Sequence, residues 1–313
     1  MILYQKDELT DLSMFAEFIF LELYLRVISD VRYNSYLQFS TGIGHKMKCL
    51  LLLLCALTLS NSQDAKPVIL KDIEGPRIIN GVEAGLGQFP WQAALFFQQE
   101  LGSRFWFCSG AIISEEWILT AGHCVNTAES VLIYTGIIDI SLEIQPSAIS
   151  TEFILHKDFV ADSLANDIAL IKLPKSLTLD EYTTTIWLSS DEIKAGTAIT
   201  VSGWGRTNVS SSAISNLLHY INLTTISNEQ CQDAYGTTGL ILPEMVCAAL
   251  NIDPVQAPCH GDSGGPVVVD FGTNPRHVAI ASFVSDAGCD SSYPSEYTRT
   301  AAYRDWIKEK TGI

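Results

Sequence analysis

Three short stretches of the chain carry residues that could do chemistry together. In APCHGDSGGPVVV, Ala257 to Val269, one serine (Ser263) stands among three glycines, directly after an aspartate and four residues after a cysteine. A serine hydroxyl is a weak nucleophile until a base takes its proton. In ILTAGHCV, His123 follows an apolar run and precedes Cys124. An imidazole, with an ordinary pKa of about 6.5, suits that base near neutral pH. In NDIALIKL, Asp167 opens a strongly apolar segment. A carboxylate there can select the productive imidazole tautomer and stabilise the imidazolium.

The order of the three decides between two architectures. Gly261 to Gly265 fits G-x-S-x-G, which also describes the sharp elbow of α/β-hydrolases. That reading needs an acid and a histidine after the serine. Beyond Ser263 the chain has only His277, and strand and helix patterns do not alternate there. The order His123, Asp167, Ser263 instead matches chymotrypsin-type sites. Around these residues stand RIINGVEA (Arg77–Ala84), CSGAIIS (Cys108–Ser114), TAGHC (Thr120–Cys124), SGWG (Ser202–Gly205) and CHGDSGGP (Cys259–Pro266). On these motifs the chain resembles the trypsin/chymotrypsin family of serine endopeptidases, over Ile78 to Ile313.

The resemblance implies an all-β fold of two perpendicular six-stranded antiparallel β-barrels, about 78–188 and 189–300, with a C-terminal α-helix and the site between the barrels. His123, Asp167 and Ser263 would be catalytic, and the N–H groups of Gly261 and Ser263 would form the oxyanion hole. Cleavage after Arg77 would free an ammonium on Ile78 to pair with Asp262 and order the loop. The implied disulfides are Cys108–Cys124, Cys231–Cys247 and Cys259–Cys289. Ala257, six residues before Ser263, would floor the substrate pocket. It offers no charge to Lys or Arg. Ser282, Phe283, Val284, Ser295 and His260 would line it, and Val284 at the mouth favours small or medium aliphatic side chains. Chymotrypsin-like specificity is the alternative. SFVSDAGCDSSYPSEYTR is also similar to arthropod collagenolytic proteases, the brachyurins. A silent binding or decoy homologue is the competing function class, and the intact triad, Gly261 and Asp262 argue against it. Implied partners are protein or peptide substrates, an activating trypsin-like protease and protein inhibitors, acting on a monomer.

The elements that must position these residues are legible in outline. After Ile78, runs such as WQAALFF, VLIYTGII, AITVSGW and HVAIASFV alternate with Gly, Pro, Ser and Asn clusters, an all-β pattern. TAAYRDWIKEK places Ala302, Trp306 and Ile307 at helical spacing and predicts a helix from about Ala301 to Lys310, stopped by Gly312.

Composition narrows the setting. The 313 residues carry a net charge of -16, which argues against nucleic-acid binding because phosphate contacts need clustered cations. Six cysteines after Ile78, without a CxxC pair, point to disulfides rather than a metal, and spacing leaves about 15 connectivities open. No cofactor or metal is expected, since the acidic calcium-loop pattern of trypsins is absent around Gly136–Gln145. MKCLLLLLCALTLSNSQ, from Met47, reads as a secretory signal peptide over 47–62. Its eleven apolar residues fall short of the about 20 that span a bilayer. Residues 1–46 are then expected to be a non-native extension, and 63–77 an activation propeptide ending at an exposed Arg77. The product would be secreted and extracellular. Asn208 and Asn222 head glycosylation sequons; Asn208 lies in a polar loop, Asn222 in a strand-like run.

Overall fold

The computed structural model describes residues 81–99, 104–206, 213–236, 241–249, 257–283, 289 and 293–313. Two β-barrels make up the described chain. The first is formed by β2 (Gln92–Gln99), β3 (Arg104–Ser114), β4 (Trp117–Thr120), β5 (Ser130–Thr135), β6 (Ala148–Ser150), β7 (Glu152–Leu155) and β8 (Ala169–Lys172). Its order is β6-β5-β2-β3-β4-β8-β7. Only Thr151 separates β6 from β7, so the two ends of the sheet are one interrupted strand, and the sheet closes on itself with six.

The second contains β1 (Val82–Glu83), β9 (Trp187–Leu188), β10 (Ala198–Gly203), β11 (His219–Ile226), β12 (Met245–Ala249), β13 (Pro266–Val269), β14 (Arg276–Phe283) and β15 (Ser295–Arg299). The path β11-β10-β13-β14-β15-β12 returns to its start through a β11–β12 pairing. The two-residue strands β1 and β9 add to the predicted six at β11 and β14. Among the described residues, closure leaves no long unpaired edge.

Apolar strand residues build the cores, alternating with more exposed ones along β11 and buried in succession along β8 and β13. Leu95, Phe97, Ile112, Ile133, Leu170 and Ile171 are fully buried in the first barrel. Val201, Val267 and Ala279 are fully buried in the second. The larger core cluster extends from the first barrel to Trp204, Leu218, Val268 and Ile280 of the second, and to Tyr303 and Ile307 near the C-terminus. Among the described residues, three disulfides, Cys108–Cys124, Cys231–Cys247 and Cys259–Cys289, pair six cysteines as the resemblance implies.

The helices differ in part from the sequence reading. Thr300–Tyr303 is a 3-10 turn, and the α-helix proper runs Arg304–Thr311. Its buried face is Tyr303 and Ile307 with half-buried Trp306, whereas Ala302 is exposed. Gly312 ends it in the left-handed region, at φ 83. A second helix, Asn228–Tyr235, went unpredicted. Its signal was present: Ser227 and Gln230 form a reciprocal capping box. No helix among the described residues is long and apolar enough to cross a membrane. Asn208 lies outside the described residues. Asn222 is exposed on β11, where its Oδ1 accepts from Thr200 Oγ1 at 2.8 Å.

Glu296 is out of place in this core. It stands on β15 opposite Cys247 of β12 and Phe283 of β14. It is 1% exposed, and neither carboxylate oxygen has a hydrogen-bond partner among the described residues. Burial pushes its carboxyl up to about 8, from an ordinary value of 4.5. The folded protein therefore keeps a proton that the unfolded chain releases. That stabilisation is full below about 4.5 and is lost as pH rises through about 8. Thermal melts of the protein should lose midpoint temperature across this window, by an amount reflecting on the order of a few kcal/mol. In Glu296→Gln the curve should be flatter. An unchanged slope in that variant would place the titration elsewhere.

Candidate active site

The site grows out of three turns. β4 ends at Thr120, and a short helical turn, Gly122–Val125, carries His123. The Cys108–Cys124 bridge ties that turn to β3. Asp167 precedes β8 and follows Asn166, which adopts φ 56. Asparagine tolerates this left-handed geometry better than most residues. Asn166 is held from both sides: its Nδ2 donates to the Asp158 carbonyl at 2.8 Å, and its Oδ1 accepts from Tyr303 Oη at 3.1 Å. The turn buries Asp167 completely.

Asp167 gathers donors from three directions. Oδ1 accepts the His123 backbone N–H at 2.7 Å. Oδ2 accepts from Ser282 Oγ at 2.6 Å and lies 2.8 Å from His123 Nδ1. Thr298 Oγ1 donates to the Asp167 carbonyl at 2.9 Å. An acceptor-only carboxylate places the imidazole proton on Nδ1 and leaves Nε2 as the acceptor. Burial pulls the His123 imidazolium down, and the charge and hydrogen bond of Asp167 outweigh it, so its pKa is raised overall.

Ser263 is half-buried on the loop that follows Cys259. The loop is held by main-chain bonds: Ser109 N donates to the Ser263 carbonyl at 2.8 Å, and Gly264 N to the Ala281 carbonyl at 2.7 Å. All three glycines of this loop are sterically required, Gly265 because a Cβ there would lie 2.8 Å from the Asp262 carbonyl. Gly264 has φ +77, and a Cβ there would run into Thr120 Oγ1 and the Ser109 carbonyl. Gly261 has φ +106, with a Cβ position 2.9 Å from Ile214 Cγ2 and 3.0 Å from Gly205 Cα. Among the described residues, no acceptor takes the N–H of Gly261 or of Ser263. No hydrogen bond between Ser263 Oγ and His123 Nε2 appears among the described residues either. Such bonds are often long in free enzymes and tighten around substrate.

Asp262 points away from Ser263 into the protein and is 1% exposed. Its Oδ1 accepts from Gly205 N and its Oδ2 from Cys259 N, each at 2.8 Å. Burial pushes its carboxyl up to about 6, against those two donors. Among the described residues no cation pairs with it. Arg77 and Ile78 lie outside the described residues.

The pocket residues are distributed less simply than expected. Ala257 is half-buried and His260 exposed. Ser295 is buried, donates to the Ala248 carbonyl at 3.2 Å and shares a 2.7 Å hydrogen bond with Tyr297 Oη. Ser282 was expected to line the substrate strand, but its hydroxyl is committed to Asp167. Phe283 ends β14, and Val284 lies outside the described residues. Sequence reasoning missed Thr298, Tyr303 and Ser109 as supports for the site. Ser109 stands in CSGAIIS, but nothing local in that motif or around Thr298 and Tyr303 shows the role, because each acts on residues far away in the chain. Among the described residues, two groups of three potential metal ligands come together, Cys108–His123–Cys124 and Cys231–Cys247–Glu296. In both, the cysteines are bonded to each other and offer no thiolate.

Comparison with known proteins follows the same lines. A family model described as Trypsin matches residues 78–307. Brachyurin of Leptuca pugilator is 36% identical over 238 residues, covering 75% of this chain and 99% of that protein. Collagenase of Hypoderma lineatum is 36% identical over 270 residues, covering 85% and 99%. A solved structure of HL collagenase superimposes with a TM-score of 0.66 at 36% identity, over 75% of this chain and 99% of that one.

Proposed function

The chain belongs to the trypsin family and is a serine endopeptidase, and from that premise we propose that it is secreted as a zymogen and cuts after uncharged, preferentially small or medium aliphatic, residues. The observation that supports the catalytic assignment is buried Asp167 holding His123 by both its main chain and its ring, with Gly264, next to Ser263, packed against Thr120 and Ala121 just before the His123 turn. In this reading His123 Nε2 takes the Ser263 proton as Oγ attacks the scissile carbonyl. The imidazolium then protonates the leaving amine, and water repeats the sequence on the acyl-enzyme. The uncommitted N–H groups of Gly261 and Ser263 receive the oxyanion.

Activation follows from Asp262. Its carboxyl has two N–H partners and no cation among the described residues. A free Ile78 ammonium, released by a trypsin-like cut after Arg77, would give it one and hold it ionised. That requirement supports a propeptide ending at Arg77 (63–77) and a protease domain over 78–313; the signal-peptide pattern from Met47 supports the signal peptide (47–62), with 1–46 outside the native product. Glycans on Asn208 and Asn222 would belong to the same secreted form.

The aliphatic preference rests on Ala257, which brings no charge to the pocket floor, and on Val284 at its mouth. Names of the relatives favour a second reading, a broad collagen-degrading specificity. A peptide panel varied only at the residue before the scissile bond tests this, assayed before and after nicking at Arg77. Expected is a gain on nicking and faster cleavage after Ala, Val or Leu than after Phe, by about tenfold, the scale of a methylene or two of misfit. Faster cleavage after Phe or Tyr would mean an open pocket. Preference for Lys or Arg would overturn the Ala257 argument. Cleavage of native collagen by the nicked enzyme would favour the second reading.

A further inference from the structure

We propose that Arg206 selects substrates carrying an acidic side chain just after the scissile bond; the inference rests on the endopeptidase reading above. The argument starts from charge. Residues 78–313 hold eleven lysines and arginines against twenty-six carboxylates. Carboxylates are therefore in excess; Lys157, Lys172 and Lys310 each pair with one, and Arg276 with two. Arg299 instead spends its guanidinium on the carbonyls of Ile193 and Met245. Arg206 is half-buried, and its guanidinium has neither a carboxylate nor a hydrogen-bond partner among the described residues. The six residues that follow it, TNVSSS, contain no acid.

Its place in the fold gives that charge a use. Arg206 N donates to the His260 carbonyl at 2.8 Å, and His260 immediately precedes Gly261. Gly205 Cα crowds the space beside Gly261. The Trp204–Arg206 turn is therefore fastened to the loop that presents the oxyanion N–H groups. Trp204 also meets Phe107 of β3, with ring centroids 6.1 Å apart. Two residues on, Ser109 N holds the Ser263 carbonyl.

Ser263 thus has two flanks. One is the end of β14, bonded to Gly264 and Gly265 through Ala281 and leading to the proposed pocket. The other is β3 with the Trp204–Arg206 turn. Substrate residues before the scissile bond occupy the pocket flank, so the residues after it leave across the other. An unpaired cation there, in a field that is otherwise negative, attracts a carboxylate and gains more from it than a cation in a paired setting would.

The test uses the Arg77-nicked enzyme. Peptides identical up to the scissile bond carry Glu, Gln or Lys at each of the first two positions after it. Expected is a kcat/KM for Glu about fivefold above that for Lys at low salt, the upper end for a partly exposed ion pair. About 1 M salt should shrink the ratio, since screening then acts within about 3 Å. Arg206→Gln should bring the ratio near one, and Arg206→Lys should keep most of it. A ratio near one in the unaltered enzyme, or an unchanged ratio in Arg206→Gln, would overturn the proposal. An amino-acid ester with a simple alcohol leaving group separates this from failure of the endopeptidase reading. The unaltered enzyme should hydrolyse it whatever Arg206 does, and no hydrolysis would sink both readings.

Discussion

Ser263→Ala is expected to lower kcat by about 10⁶, with KM for peptide substrates little changed. The substitution removes one oxygen and leaves the scaffold intact. Ser109 N still bonds the carbonyl at position 263, and Gly264 N still bonds Ala281, because both contacts are main-chain. The N–H at position 263 also survives, so a residual rate over water of about 10³ to 10⁴ should remain from oxyanion binding and positioning. Active-site titration with a labelled fluorophosphonate checks the assignment beside the rate. The nicked enzyme should take up one label per chain and the variant none. Labelling of the variant would mean another residue is the nucleophile. A nicked, unaltered protein that neither labels nor cleaves would favour the binding or decoy alternative.

Asp167→Asn is expected to lower kcat by about 10⁴ near neutral pH, as the same change does in a Ser-His-Asp site. The hydrogen bonds explain why so small a change costs so much. Oδ1 and Oδ2 accept from the His123 main chain, the His123 ring and Ser282 Oγ. A carboxylate can accept from all three at once, whereas an amide has one acceptor atom and one donor group. Whichever way the new amide turns, its NH₂ faces a group that was donating. If it faces the ring, the imidazole must present an unprotonated Nδ1, which puts the proton on Nε2, where it cannot serve as base. The variant also loses the charge that raises the His123 pKa against burial. Its activity should therefore be the lower of the two at every pH near neutral, and its ring proton should titrate at lower pH by NMR. A loss smaller than tenfold would show that Asp167 does not set the tautomer.

Ser282 illustrates where reading the chain stopped. Its place in SFVSDAGC marks it as a pocket residue. Its hydroxyl is in fact the second donor to Asp167 Oδ2, 115 residues earlier in the chain. Glu296 sits in a run, SEYTR, that reads as an ordinary strand, and its isolation becomes visible only when β12 and β14 close over it. The Asn228–Tyr235 helix had a readable cap but too short a stretch for its periodicity to stand out against strand-like neighbours.

By itself the sequence determined the chemistry that depends on residue type, order and local backbone. That includes a serine in a turn only glycines can make, a histidine and an aspartate before it, strands marked by short apolar runs between turn residues, and six cysteines for pairing. Such features are local, since steric limits on φ and the alternation of side chains act within a few residues. Tertiary structure alone decided which strands lie side by side, that β6 and β7 close one barrel as a single broken strand, which donors reach Asp167, and which charges end up buried or unpaired. Those outcomes depend on packing between residues a long way apart in the chain. The period of a strand says which side chains face inward, but the partner across the core is chosen by how the whole sheet closes.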